Sequence, residues 1–339
     1  MAVQEGIFTR FEGDDVVQGQ INIVSAGMWS GGVGTLSAFH TSSVQVGSTG
    51  AHYYDVYNGA VGANATASVQ FSVTFGHIDG SGSLSGDNDP AASKAVYRQL
   101  RNLLLPQGQD RFKFGAAGAE TEAAAIHAIS LNRTRLKEKM DPGNWELQLS
   151  GSSAGTVLHL IDDSGATNDP SVKSTIREFN IISGSITSGT AVTGSSTVYY
   201  GKFYPENGIL VINPDLLNTY ITVAGYATAS NTNNNNPQHF LSTIQSGSHF
   251  AARREEAIKS THYFCRVKHG MYNHSQNPTY FTASDGSLTV PSFRTDPKAY
   301  ITTVGLYNNE NELLAVAKLS RPILKSSSRE ALIKVRLDY

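Results

Sequence analysis

Residues 296–339 read DPKAYITTVGLYNNENELLAVAKLSRPILKSSSREALIKVRLDY. Tyr300 to Tyr307 is β-branched and aromatic, Asn308-Asn309-Glu310-Asn311 supplies turn chemistry, and Glu312 to Leu319 returns as a second apolar strand. This pattern predicts a hairpin. After Pro322 and the polar break Lys325-Ser326-Ser327-Ser328, a third strand alternates strictly, with Ile333, Val335, Leu337 and Tyr339 on one face and Lys334, Arg336 and Asp338 on the other. A chain closing on such a strand is expected to have that end held by its sheet. At least one edge of the sheet should be covered by other segments or another subunit, because open edges invite uncontrolled pairing.

The same rhythm recurs upstream. Ser68 to Phe75 alternates Val69, Phe71, Val73 and Phe75 against Ser68, Gln70, Ser72 and Thr74, and Val17 to Val24 and Ala51 to Tyr57 are strand-like. Strands are also expected at Trp145 to Leu149, Thr156 to Ile161, Arg177 to Ile182, Thr197 to Phe203 and Thr261 to Lys268. Asn207-Gly208 should turn the chain into Ile209 to Ile212. One clear helix is predicted over about 91–105, entered through Asp89-Pro90, with Val96, Leu100, Leu103 and Leu104 at helical spacing. The alanines of Glu120 to Ala128 would suit a second helix, but Ala125 to Leu131 alternates and a strand is favoured there, followed by a short basic helical turn from Arg133 to Met140 that Asp141-Pro142-Gly143 stops. Four asparagines before Pro237 predict a long exposed loop. The fold class is therefore mainly β, a β-rich α+β chain whose antiparallel sheets form a sandwich-like body with one helix and short helical turns. Its expected regions are 1–88, 89–230 with the helix, and 231–339 ending in the hairpin and final strand.

Composition narrows the function classes. The 339 residues are 40% hydrophobic and 16% charged, with 26 Lys+Arg against 28 Asp+Glu and a net charge of -2, which gives no global electrostatic reason for a nucleic-acid or anionic-membrane partner. Cys265 is the single cysteine, so no intrachain disulfide can form, and its apolar neighbours mark it as a core residue. The start is not patterned as a secretory signal and no apolar run approaches ~18 residues. A reducing, aqueous compartment is expected.

No catalytic, cofactor-binding or metal residues are assigned. Gly151-Ser152-Ser153-Ala154-Gly155 matches G-x-S-x-G, but a nucleophile elbow needs a strand before it and a helix after it, and both flanks here look like strands. Ser153 as a hydrolase nucleophile therefore ranks behind a hairpin loop. Asp79, Asp87 and Asp89, and the pair Asp162-Asp163, read as turn carboxylates rather than a cation site. Cys265, His269 and His274 leave a tetrahedral metal site short of a fourth ligand. The cluster Arg133, Arg135, Lys137 and Lys139 reads as a solvated face, and Tyr263 and Phe264 among Arg266 and Lys268 as period-2 alternation rather than a base-stacking platform.

Several phrases carry a resemblance: YITTVGLYNNENELLAVAKLSRPI and REALIKVRLDY at the end, YRQLRNLLL from Tyr97, ISLNRTRLKEKMDPGNWELQL from Ile129, STHYFCRV from Ser260 and YNHSQNP from Tyr272. Together they span roughly residues 90–339, and they resemble a family of virion structural proteins, of the tail and baseplate, from large contractile-tailed bacteriophages. The resemblance implies a non-enzymatic, multi-copy virion component assembled in the host cytoplasm. Its partners would be other tail or baseplate subunits and further copies of itself, with no cofactor, nucleic acid or membrane. Two other virion roles compete with this one. A receptor- or glycan-binding tail fibre component would use the Tyr- and Asn-rich segments His52 to Tyr57 and Tyr272 to Tyr280, and a neck or collar connector is the other.

Overall fold

The computed structural model describes residues 8–42, 53–82, 91–116, 118–152, 156–165, 171–173, 176–186, 190–191, 198–227, 235–282 and 284–338. The first part of the chain supplies β1 (Val16–Gly27), β2 (Thr35–Leu36), β3 (His40–Thr41), β4 (Tyr53–Tyr57), β5 (Val69–His77) and helix α1 (Ala91–Leu104). The middle adds β6 (Phe112–Phe114), β7 (Thr121–Ala123), β8 (Ala125–Leu131), α2 (Arg133–Leu136), β9 (Lys139–Ser150), β10 (Val157–Asp162), β11 (Ser171–Lys173), β12 (Ile176–Ser185) and β13 (Thr190–Ala191). The rest is β14 (Tyr199–Tyr204), β15 (Ile209–Ile212), α3 (Pro214–Ile221), α4 (Asn236–Gly247), β16 (His249–Val267), β17 (Lys298–Tyr307), β18 (Leu313–Ser326) and β19 (Ala331–Asp338). The protein is mainly β, with antiparallel pairing throughout the strand ladders described below. Two compact units form, Met1–Asn22 with Ala257–Tyr339, and Ile23–Glu256, and β1 and β16 contribute residues to both.

In the unit Ile23–Glu256 the sheet runs in the order β16, β9, β10, β12, β14, β15, β8, β5, β4, β3. The sheet curls until its distant strands meet. Phe250 on β16 and Phe71 on β5 bring their rings to 5.5 Å, and Trp29 packs against both. Inside the curl, Leu217 and Ile221 of α3 and Phe240, Leu241 and Ile244 of α4 join Ile129, Leu147, Ile181, Phe203, Leu210 and Ile212 in one core. Alternate residues of the same strands point outward. Ile126, Ala128, Tyr204, Ile209 and Val211 meet Tyr97, Leu100 and Leu104 of α1 and the β6–β7 hairpin in a second core. Because β8 and β15 bury both faces, β15 reads as a continuous apolar run, and β8 is apolar except for His127 and Ser130.

Several details depart from the sequence expectation. Tyr97 rather than Leu103 completes the buried stripe of α1: Leu103 is 50% exposed, whereas Tyr97 donates its hydroxyl to the Ala123 carbonyl at 2.8 Å and accepts from the Phe112 N–H. Residues 97, 100 and 104 share a helix face that 103 leaves by one step. The basic turn ends at Leu136, and Asp141-Pro142-Gly143 does not stop a helix but lies within β9. Met140 pairs with Arg254 and Trp145 with Ala252, so four residues, 141–144, bulge opposite Arg253. Helices α3 and α4 were not expected. Asn213 caps α3 before Pro214, and the Asn-rich run ends by entering α4, whose Asn236 is fully buried; residues 231–234 and the expected entry Asp89-Pro90 lie outside the described residues. Gln70, expected to face outward, is also buried and bonds Ser30 through both ends of its amide.

In the unit Met1–Asn22 with Ala257–Tyr339, β17 and β18 form the expected hairpin. Pro322 does not end the strand, because β18 continues to Ser326. Ile301 pairs with Ile323 and Thr303 with Lys318, so the proline sits in a four-residue bulge, 319–322, where no ladder N–H is required of it. The final strand β19 buries Ile333 and Val335, with Leu337 half-buried and Lys334, Arg336 and Asp338 exposed, as its alternation predicts. One edge of β19 pairs with Ser260–Val267 of β16, and Tyr339 lies outside the described residues. The hairpin's inner face, with Ile301, Val304, Leu306, Ala315, Ala317 and Leu319, packs on Tyr263, Cys265, Ile333, Val335 and Leu337.

Candidate functional site

The G-x-S-x-G run lies where a hairpin loop was expected. β9 and β10 flank the Gly151–Gly155 run and pair antiparallel, Ser150 opposite Val157, so the run joins two strands of a hairpin. Ser153 lies outside the described residues. Gly151 passes so close to the end of α3 that a Cβ would stand 1.6 Å from the Ile221 carbonyl oxygen, and the Ser152 N–H and hydroxyl both donate to the Thr222 carbonyl at 3.0 Å. Glycine is required there by close approach.

The acidic and metal candidates are likewise accounted for. Asp162 accepts from the N–H groups of Gly143 at 2.8 Å and Ser164 at 2.9 Å, and Asp163 accepts from the backbone and side-chain nitrogens of Asn180 at 2.9 and 2.7 Å. Asp87 and Asp89 lie outside the described residues. Cys265 pairs with Ile333 in the core, where burial pushes its thiol pKa up, while His269 bonds Glu330 and His274 packs on Tyr280 and Phe281. Among the described residues no group of three or more His, Cys, Asp or Glu is arranged to hold a metal ion.

The two lysines of the basic cluster are paired: Lys137 reaches Glu256 at 3.4 Å and Lys139 reaches Glu255 at 2.5 Å, both on β16. Phe264 carries the Lys334 ammonium 5.8 Å from its ring centre, and Arg266 reaches Asp15 at 3.3 Å.

Two polar constellations were not anticipated. Glu146, 3% exposed, accepts from Gln148, Ser185 and the Ile186 N–H and bonds His159 Nδ1 at 2.7 Å. Burial raises its pKa, but these bonds outweigh it and hold the carboxyl below its ordinary value. The carboxylate lies between the imidazole and the serine hydroxyl, so the arrangement fixes a carboxylate rather than activating the serine. The second constellation surrounds Lys202, whose Nζ donates to Asn180 Oδ1 at 2.8 Å and lies 3.5 Å from both Glu178 Oε1 and Glu120 Oε1. Glu120 also lines a shallow polar depression of about 640 Å³ beside Arg111, Lys113 and Glu122. The signal for this cluster is a period-2 row of polar residues in apolar strands: Glu178 and Asn180 on β12, Lys202 and Tyr204 on β14.

The unit that carries the C-terminal hairpin presents a group of exposed apolar residues. Opposite its packed side, Leu314 is 68% and Val316 57% exposed, with Tyr300, Tyr307 and Leu313 also open. Phe8 packs edge-on against Tyr307 at 4.9 Å. Exposed aromatic and aliphatic residues grouped on one strand pair are the usual character of a protein-contact surface.

No family model, curated protein or solved structure matches the chain.

Proposed function

We propose that the protein is a structural subunit of the tail or baseplate of a contractile-tailed bacteriophage, acting through contacts with neighbouring subunits and further copies of itself. The observation that carries this reading is the outer face of the β17–β18 hairpin, where Tyr300, Tyr307, Leu313, Leu314 and Val316 stand open to solvent. An apolar strand pair covered on one face only is a surface built to be buried in an assembly. The resemblance of the same segment to virion proteins supports the choice of a phage tail as the assembly, and the surface itself supports only a protein contact.

The test is mass spectrometry of purified virions from the phage that encodes this chain. The protein should be present at several copies per particle and should remain after high-salt washing, since an apolar contact is weakly screened by salt. Particles that lack the protein would overturn the assignment.

A further inference from the structure

Asn180 and Lys202 are direct cross-strand partners on β12 and β14. Lys202 is 5% exposed, and Glu178, two residues from Asn180 on the same face, is also 5% exposed. The lysine nitrogen stands 2.8 Å from the carboxamide oxygen of Asn180 and 3.5 Å from the Glu178 carboxylate. On the far side, buried Asp163 holds the carboxamide nitrogen at 2.7 Å and the Asn180 backbone N–H at 2.9 Å, which fixes the amide plane. Tyr204 donates to the second oxygen of Glu178 at 3.3 Å and keeps that carboxylate beside the lysine. An amine, an immobilised carboxamide and two flanking carboxylates thus stand together, with Lys202, Glu178 and Asp163 buried and Asn180 half-buried. Lys325, the other deeply buried lysine described, contrasts with it. Its Nζ gives all three N–H bonds to neutral oxygens of His269, Asn273 and Ser326 at 2.8–2.9 Å, the setting of a structural ammonium.

We infer that Lys202 and Asn180 condense after folding into an intramolecular isopeptide bond that ties β14 to β12. Glu178 takes a proton from the ammonium, freeing the nitrogen lone pair, and Nζ adds to Cγ of Asn180. The Cγ–Nζ bond forms and the Cγ–Nδ2 bond breaks. Of the three Nζ protons, one remains as the new amide N–H. The other two pass to Nδ2, relayed by the flanking carboxylates, and it departs as ammonium. No oxidant, reductant or second reactant takes part. Fixed orientation of the two groups supplies the rate that the same reaction lacks in water. Glu120, which reaches Lys202 and lines the surface depression, places an exit for ammonia next to the reacting nitrogen. A chain whose single cysteine cannot form an internal disulfide would gain its covalent tie between strands this way.

The experiment is intact-mass and peptide-fragment spectrometry of the purified full-length chain. The expected mass is about 17 Da below that of the sequence, one ammonia lost, with a fragment that joins Asn180 to Lys202. In Lys202→Arg and Glu178→Gln the full mass should return, with circular dichroism showing whether each variant has folded. A wild-type chain at full sequence mass overturns the inference. So does a loss that maps to Asn207-Gly208 or another asparagine without a joined fragment, because succinimide formation removes the same mass.

Discussion

The indole N–H of Trp29 donates to the backbone carbonyl of Phe250 at 2.8 Å, across 221 residues of sequence. The bond lies where the curled sheet comes back on itself, and Trp29 is only 1% exposed. Trp29→Phe should keep most of the packing and orphan one buried carbonyl, a loss of about 1–3 kcal/mol. Trp29→Ala should add a cavity, for a total of at least about 3–5 kcal/mol. Urea unfolding midpoints measure both, and equal midpoints for the two variants would contradict a hydrogen-bonding role layered on packing.

Gly151 tests the reading of the G-x-S-x-G run. Gly151→Ala forces a methyl group onto the Ile221 carbonyl and should destabilise by more than about 2 kcal/mol. Gly270→Ala, with open space around it, should shift stability by less than about 0.5 kcal/mol. Thermal melts of the two variants side by side decide the matter. Ser153→Ala, in the same run, should leave any esterase activity of the preparation unchanged.

His127 makes stability depend on pH. It is fully buried, stacked on Phe240 at 4.3 Å, and its ring nitrogens have no hydrogen-bond partner, so burial, aided by His239, lowers its pKa to about 3. The unfolded ring titrates near 6.5. The neutral ring's contribution is therefore complete above pH 6.5 and is lost progressively as pH falls towards 3, on the order of 5 kcal/mol in all. His77 and His239, also lowered by burial, act in the same direction. His127→Phe should shrink the drop in urea midpoint between pH 7.5 and pH 4.5. An unchanged drop would show that the other groups carry it.

The outer hairpin face should matter to assembly and not to folding. Leu314→Asp, at an exposed position, should change unfolding free energy by less than about 0.5 kcal/mol. If this face is buried between subunits, the same change should cost association more than tenfold, read by light scattering of the purified protein or by incorporation into particles. Full retention of both would place the contact elsewhere.

Lys325 holds the segment that follows β16. Lys325→Met removes three hydrogen bonds and leaves the oxygens of His269, Asn273 and Ser326 to find other donors. Hydrogen exchange across 269–277 should speed up, while Phe250 and Leu147 in the other unit keep their protection.

The sequence was most readable where one face of a strand meets solvent. β19 and the hairpin show a period of two because Ile333 and Val335 are covered and Lys334 and Arg336 are not. β8 offers a weaker contrast, since both of its faces are packed: its alternation favours a strand while its alanines equally suit a helix. Helices α3 and α4 carried legible start signals, Asn213-Pro214 and Asn235-Asn236-Pro237. The run of asparagines drew the second signal into a loop reading, although Phe240, Leu241 and Ile244 bury one helical face, and the first stood among β-rich segments that hid a helix of only eight residues. The Lys202 cluster is legible only in part. The polar rows Glu178 and Asn180 on β12 and Lys202 and Tyr204 on β14 show in each strand, but their pairing is set by the register of β12 against β14, and Glu120 and Asp163 join from outside both strands, which no local pattern specifies.

The order of synthesis gives the strand β1 an unusual life. In the unit that combines Met1–Asn22 with Ala257–Tyr339, Gly19 lies so close to Ser260 that a Cβ would stand 2.6 Å from its carbonyl oxygen. At roughly 5–20 residues per second, the ribosome delivers Ser260 about 12–50 s after Gly19. For that interval residues 16–22 of β1 have no native strand partner, while residues 23–256 are free to fold. This neutral stretch therefore stays open to non-native strand pairing until β16 is complete.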